Sequence, residues 1–211
     1  MTSPTDNPHP TDIAQDKAAL RRAVRKARKQ RPASDKAKLD QGVCDGAAAV
    51  VRAFSAAHSR PPKVAAYMPL PAEPGGEGFV PVLADAAAEL WLPITGPRGT
   101  ELTWARYTGP ESLQPGPLGI SEPAGQAVGV DKLHQLDIAF VPALALSTAG
   151  VRLGQGGGYY DRTLAALSGP QLIGVVFDDE VYDRVPAATH DAVLDAILTP
   201  SGCRDVRATD A

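Results

Sequence analysis

A chain of 211 residues with 44% hydrophobic side chains suits one compact domain with a sizeable core. Its formal net charge of -3 gives no global attraction to nucleic acid or anionic lipid, so any basic feature must be local. Cys44 and Cys203 lie far apart, without CxxC spacing or a histidine cluster, which excludes a disulfide framework and a structural zinc site and fits a reducing cytoplasm. No run reaches the roughly 18 apolar residues of a membrane span.

Residues 1–12, polar and proline-rich, read as a disordered leader, 13–205 as a single domain and 206–211 as a short tail. Over 13–31 the spacing of Leu20, Ala23, Val24 and Ala27 predicts a helix that Pro32 ends. Eight Lys and Arg lie between Lys17 and Arg31. Most read as a solvated face; taken naively, Arg25, Lys26 and Lys29 would make an RNA-binding arm. Lys17 and Arg21 stand at i,i+4, leave the helix on one side, and can clamp one polyphosphate. A second helix is expected over 34–56 with Ser34 as its N-cap. "KVAAYMPL" then predicts a strand over 63–70, followed by a helix near 79–89 and the strand "LWLPIT" over 90–95, a β-α-β unit.

After "ELTWARY" and a proline-punctuated stretch, "LDIAFVPALAL" over 136–146 predicts one buried strand by its length and apolar continuity. A helix over 160–167, a strand over 171–177 and a closing strand in "DAILTP" complete the alternation. It implies an α/β fold, a three-layer α/β/α sandwich on a mostly parallel, mixed sheet.

The segment "GVRLGQGGGYYDR" falls between a buried strand and a helix, where open α/β sheets bind ligands. Glycines there let the backbone turn its N–H groups inward with no Cβ to block a close approach, and the following helix N-terminus adds partial positive charge. The natural guest is a phosphate chain. There is no GxxxxGK[ST], and Tyr159 stands where the dinucleotide fingerprint needs its third glycine, which disfavours a Walker enzyme or an ordinary Rossmann dehydrogenase. Asp161, in the first turn of the helix, can cap its N-terminus or hold a magnesium ion on nucleotide phosphates. The second acidic candidate is Asp191 in "THDAVLD", with Asp195 as its competitor; His190 reads as a turn residue.

Together these residues resemble the 5-formyltetrahydrofolate cyclo-ligase family. "RLGQGGGYYDR" is similar to the family signature of RLG, a Gly-rich triplet and an aromatic-Tyr-Asp; "KAALRRAVRKAR", "YMPLPAE", "LGISEP" and "HDAVLDAILT" are similar to further family segments in the same order. The resemblance implies ATP- and Mg²⁺-dependent conversion of 5-formyltetrahydrofolate to 5,10-methenyltetrahydrofolate with release of ADP and phosphate. The formyl oxygen would attack the γ-phosphate, and N10 would then close the ring as phosphate leaves. It further implies ATP contacts from Lys17, Arg21, Arg152, Leu153, Gly154, Gln155, Gly156, Gly157, Gly158, Tyr159 and Tyr160. Folate contacts would come from Met68, Glu73 and the loop from Gln155, Gly156, Gly157 and Gly158 to Tyr159; the magnesium ligands would be Asp161 and Asp191. Lys17, Arg152 and Tyr160 are the implied catalytic set, since phosphoryl transfer needs positioning and charge neutralisation more than a strong base. Either tyrosine can instead pack the loop on the core. The expected ligands are 5-formyltetrahydrofolate and ATP, with neither nucleic acid nor membrane as partner, in a monomer or weak homodimer. The competing readings are a nucleotide- or folate-binding protein without turnover and an RNA-associated protein.

Overall fold

The computed structural model describes residues 10–188 and 191–206. Four helices, α1 (Pro10–Gln30), α2 (Ala33–His58), α3 (Phe79–Ala86) and α4 (Tyr159–Ala166), accompany twelve strands. In chain order these are β1 (Lys63–Ala65), β2 (Glu89–Ile94), β3 (Thr103–Tyr107), β4 (Leu113–Pro115), β5 (Ser121–Pro123) and β6 (Ile138–Pro142). They continue with β7 (Ala145–Ser147), β8 (Arg152–Leu153), β9 (Gln171–Val175), β10 (Val181–Tyr182), β11 (Ala196–Thr199) and β12 (Gly202–Asp205). The main sheet runs β12-β11-β9-β6-β1-β2-β3. Its five inner strands are parallel, and β3 and β12 close the two edges antiparallel.

Alternation along the strands assigns the two faces. Val64, Ile138, Phe140, Ile173 and Leu198 pack with α2 and α3 through Val43, Ala47, Val51, Phe79 and Leu83. On the other face Ala65 and Ala139 meet Leu102, Trp104 and Leu133, while Val141 and Ile197 meet Leu164 of α4. Both faces of β6 are therefore covered, which is why its sequence is continuously apolar. This is the expected three-layer α/β/α sandwich with a mixed sheet.

Several boundaries differ from the sequence expectation. The apolar run at 136–146 is two strands: after β6 the chain leaves the main sheet at Pro142, which has no N–H to donate, and β7 joins β8 and β10 in a separate three-stranded sheet. The strand expected over 63–70 stops at Ala65, with Pro69 and Pro71 carrying the chain out of the sheet. Ser34 does not cap α2; the helix begins one residue earlier, with Pro32 at the N-cap and no side-chain cap. Helix α1 starts at Pro10; residues 1–9 and 207–211 of the expected tails, and His190, lie outside the described residues.

Candidate active site

The parallel strands β1 and β6 end at one rim of the sheet, and a cavity of about 180 Å³ opens there. Its floor and sides are Met68 and Glu73 after β1, Pro93 and Thr95 at the end of β2, Pro142 at the end of β6, and the segment from Arg152 to Asp161. The short strand β8 intervenes between β7 and the glycines, so the loop springs from a β8–α4 connection rather than from the long strand expected at 136–146.

The glycine loop is held from outside by three guanidinium groups. Arg21 Nε donates to the carbonyl of Gly154 at 2.9 Å, Arg25 to that of Gln155 at 2.7 Å, and Arg162 to that of Gly157 at 3.0 Å. In a trans peptide the next residue's N–H lies in the same plane and points the opposite way. The N–H groups of Gln155, Gly156 and Gly158 are thus turned away from the arginines, and none has an acceptor among the described residues. Gly156 (φ 94°) and Gly158 (φ 74°) are left-handed, a conformation glycine adopts without the Cβ penalty. At Gly154 a Cβ would stand 2.7 Å from Arg152 Nη1, so any side chain there would displace the buried guanidinium. The result is an open nest of amides in front of α4, whose N-cap Gly158 makes no side-chain cap.

Arg152, only 4% exposed, is fixed behind this nest by the Pro142 carbonyl at 3.0 Å and by a short ion pair with Asp161. Its Nε has no partner among the described residues, and its guanidinium carbon lies 5.7 Å from the Tyr160 ring centre. The Tyr160 hydroxyl is also buried without a partner among the described residues. Burial first, then the charge of Glu73, push its pKa well above the ordinary tyrosine value, against the opposing pull of Arg152, so it stays protonated. Tyr159 instead spends its hydroxyl on the Gly96 carbonyl at 3.1 Å. Asp161 does not cap α4; one of its oxygens takes Arg152.

On the other side of the cavity Glu73, 7% exposed, accepts the Leu70 N–H at 3.1 Å and the Gln155 amide at 3.2 Å. Gln155 in turn receives Arg25 on its side-chain oxygen. Helix α1 supplies more than a solvated face. Lys17 pairs with Asp191 at 2.5 Å, Arg28 with buried Glu180 at 2.7 Å and Arg31 with Asp179 at 2.7 Å; with Arg21 and Arg25, five of the eight basic residues dock on the domain. Among the described residues, Arg22, Lys26 and Lys29 make no such contacts. Residues 17, 21, 25, 28 and 31 fall on one stripe, and carboxylates and carbonyls of the domain meet that stripe. Asp195 belongs elsewhere, accepting the Leu172 N–H at 2.9 Å.

No group of three metal-ligating side chains occurs among the described residues. Sequence reasoning missed one acid in the cavity, Glu122 on β5. "LGISEP" drew attention to the segment without showing that the glutamate would be buried.

The molecule is thus an α/β protein whose mostly parallel sheet carries, at its carboxyl rim, an open amide nest beside a largely apolar slot. A family profile described as the 5-formyltetrahydrofolate cyclo-ligase family matches residues 13–200, and the chain belongs to that enzyme family. A 5-formyltetrahydrofolate cyclo-ligase of Mycolicibacterium smegmatis is 37% identical over 142 residues, covering 65% of this chain and 73% of that one. The cyclo-ligase of Haemophilus influenzae is 27% identical over 187 residues, covering 87% and 97%. Among solved structures, the 5,10-methenyltetrahydrofolate synthetase of Aquifex aeolicus superimposes with a TM-score of 0.72 at 29% identity, over 90% of this chain and 93% of that one. No helix among the described residues is long and apolar enough to cross a membrane.

Proposed function

We propose that this protein cyclises 5-formyltetrahydrofolate to 5,10-methenyltetrahydrofolate at the expense of ATP, in the presence of Mg²⁺, releasing ADP and phosphate. The observation that carries the reading is that the outward-held glycine loop and the Glu73 corner belong to one cavity, joined by Gln155. A nucleotide's phosphates fit the free amides of Gln155, Gly156 and Gly158, and a flat reduced pterin fits the apolar side lined by Met68, Leu102 and Tyr159.

Arg21 has its Nε committed to the loop, which leaves the rest of its guanidinium for phosphate oxygens. Lys17 joins it by exchanging Asp191 for phosphate. Asp161 keeps one oxygen outside its bond to Arg152, and hard oxygen donors of this kind, with phosphates and water, suit Mg²⁺; Asp191, once released by Lys17, supplies the second carboxylate. The ion, when bound, neutralises charge that develops on the transferring phosphoryl group. The protein's part is to hold the γ-phosphorus in line with the formyl oxygen, with Arg152 and the Tyr160 hydroxyl at hand for the developing charge. The formyl C–O–P bond forms as the bond to ADP breaks. N10, giving up its proton, then attacks the formyl carbon, and the C–O bond breaks to release phosphate. No side chain needs to be a strong base, in keeping with a cavity in which burial keeps the Tyr67 and Tyr160 hydroxyls protonated.

The test is an absorbance assay for methenyltetrahydrofolate formed from 5-formyltetrahydrofolate. Product is expected only when ATP and Mg²⁺ are both present, with one ADP per turnover. Binding of both ligands without product would support the reading of a binding protein that does not turn over.

A further inference from the structure

Glu122 is the acid of the cavity that neither the motifs nor the loop account for. It sits on β5, in the β4–β5 hairpin that packs beside the end of β2, and is 5% exposed. With Pro93, Thr95 and Ile120 it forms a separate wall of the cavity. One carboxylate oxygen, Oε1, accepts the Thr95 N–H at 2.9 Å. The other receives no donor from the described residues, and no Lys or Arg pairs with the group.

A carboxylate has about four lone-pair sites, and a buried one is costly unless donors fill them. Glu73, the other acid of the cavity, already has a donor on each oxygen, from Leu70 and Gln155. Glu122 has one oxygen engaged and one open, in a cavity whose only basic side chain among the described residues, Arg152, is committed to Asp161 and Pro142. In a largely apolar slot, a flat ring that brings its own N–H donors can fill the open oxygen while its faces meet apolar walls, and a phosphate would be repelled.

We propose that Glu122 is a substrate-binding residue that takes N–H donors of the pterin ring and thereby fixes which way the ring enters the cavity. The proposal rests on the folate reading above. The ring's amino and ring N–H groups lie at the end remote from the reacting formyl group. The contact therefore holds equally in the ground and transition states and acts on substrate binding rather than on the chemical step. Thr95 keeps Glu122 oriented, and the hairpin gives the carboxylate a rigid base.

The experiment is steady-state kinetics of Glu122→Gln with each substrate varied in turn, together with its melting temperature. Gln keeps the shape and an oxygen for Thr95 but presents an amide where the open oxygen was. The KM for 5-formyltetrahydrofolate is expected to rise about tenfold or more, with kcat and the KM for ATP within about twofold. Titration of 5-formyltetrahydrofolate without ATP should show the same loss of affinity. An unchanged folate KM with a lowered melting temperature would reduce Glu122 to a brace for Thr95 and overturn the proposal. If the variant fails to fold, Thr95→Pro, which removes the N–H but leaves Glu122, supplies the second arm: a folate KM that rises there as well, in a folded protein, supports the oriented acid, and an unchanged one overturns it. Wild-type protein that neither binds nor turns over 5-formyltetrahydrofolate would sink the folate reading itself, a result distinct from a wild-type enzyme whose variant is unaffected.

Discussion

Tyr160 carries two demands that pull in opposite directions. Its ring packs against the hydrophobic clusters on both faces of the sheet, while its hydroxyl is buried with no partner. An unsatisfied buried hydroxyl destabilises the free protein by about 1–3 kcal/mol, so its retention makes sense if a ligand completes the bond. Tyr160→Phe is expected to leave the melting temperature unchanged or raised and to lower kcat/KM about tenfold, read by thermal denaturation and the cyclisation assay; equal activity would leave only the packing role. The same burial fixes a pH dependence. Tyr67 and Tyr160 both have pKa values raised first by desolvation and further by Glu73. Their hydroxyls stay protonated in the folded state where an unfolded chain would ionise, so stability is full below about pH 10, the ordinary tyrosine value, and falls as pH rises beyond it. Urea midpoints between pH 8 and 11 should show that loss, and Tyr160→Phe should lessen it. Of these facts the sequence shows only two adjacent tyrosines. That Tyr159 spends its hydroxyl on Gly96 while Tyr160 keeps its own free depends on the turn of α4, which no local pattern encodes.

Among the elements, α1 is the helix its period predicts, but five of its eight basic residues dock on the domain rather than forming a solvated face. Its length and period were legible in Leu20, Val24 and their neighbours; its partners were not, because Asp191, Glu180 and Asp179 come from distant turns that only the closed sheet brings together. The break of the apolar run after Pro142 was hidden for a similar reason: both halves are buried, so hydropathy stays level across the corner. The corner has a use, since the carbonyls it frees at Pro142 and Ala143 receive Arg152 and Arg28. Arg28 is the anchor of α1. Burial opposes its charge, yet the two-pronged bond to Glu180 raises its pKa above the ordinary value, and Glu180 also accepts the Phe177 N–H at 2.9 Å. Breaking a buried pair from one side leaves the other charge stranded, at a cost of about 3–5 kcal/mol. Glu180→Gln should therefore lower the melting temperature by about 6–20 °C, while Arg28→Met combined with Glu180→Leu recovers most of it. If the single and double variants melt alike, the pair is not what holds the helix.

For the whole molecule the consequence is a division between an apolar body and a polar seam. The sheet and α2, α3 and α4 are held by buried side chains on both faces, whereas α1 buries little beyond Val24 and Arg28 and docks through charges at the rim of the cavity. Subglobal opening begins where apolar contact is least, so α1 should detach at a lower free energy than the core unfolds. It also carries Lys17 and Arg21, which means a nucleotide bound to both the glycine loop and α1 must tie the seam shut. Hydrogen exchange followed residue by residue gives the test. Amides of α1 around Arg21 to Arg28 are expected to exchange through a local opening, faster than those of β6 and α2. At a Mg-ATP concentration of about 100 times its dissociation constant they should slow by about a hundredfold, and core amides that exchange only by global unfolding should slow by a similar factor, because neither the α1-open nor the unfolded state binds the ligand. Added KCl should speed them by weakening the more exposed ion pairs, such as Arg31 with Asp179, more than the buried one at Arg28. Exchange of α1 that matches the core without ligand, and is insensitive to salt, would show that the basic stripe is as much a part of the body as the helices packed on the sheet.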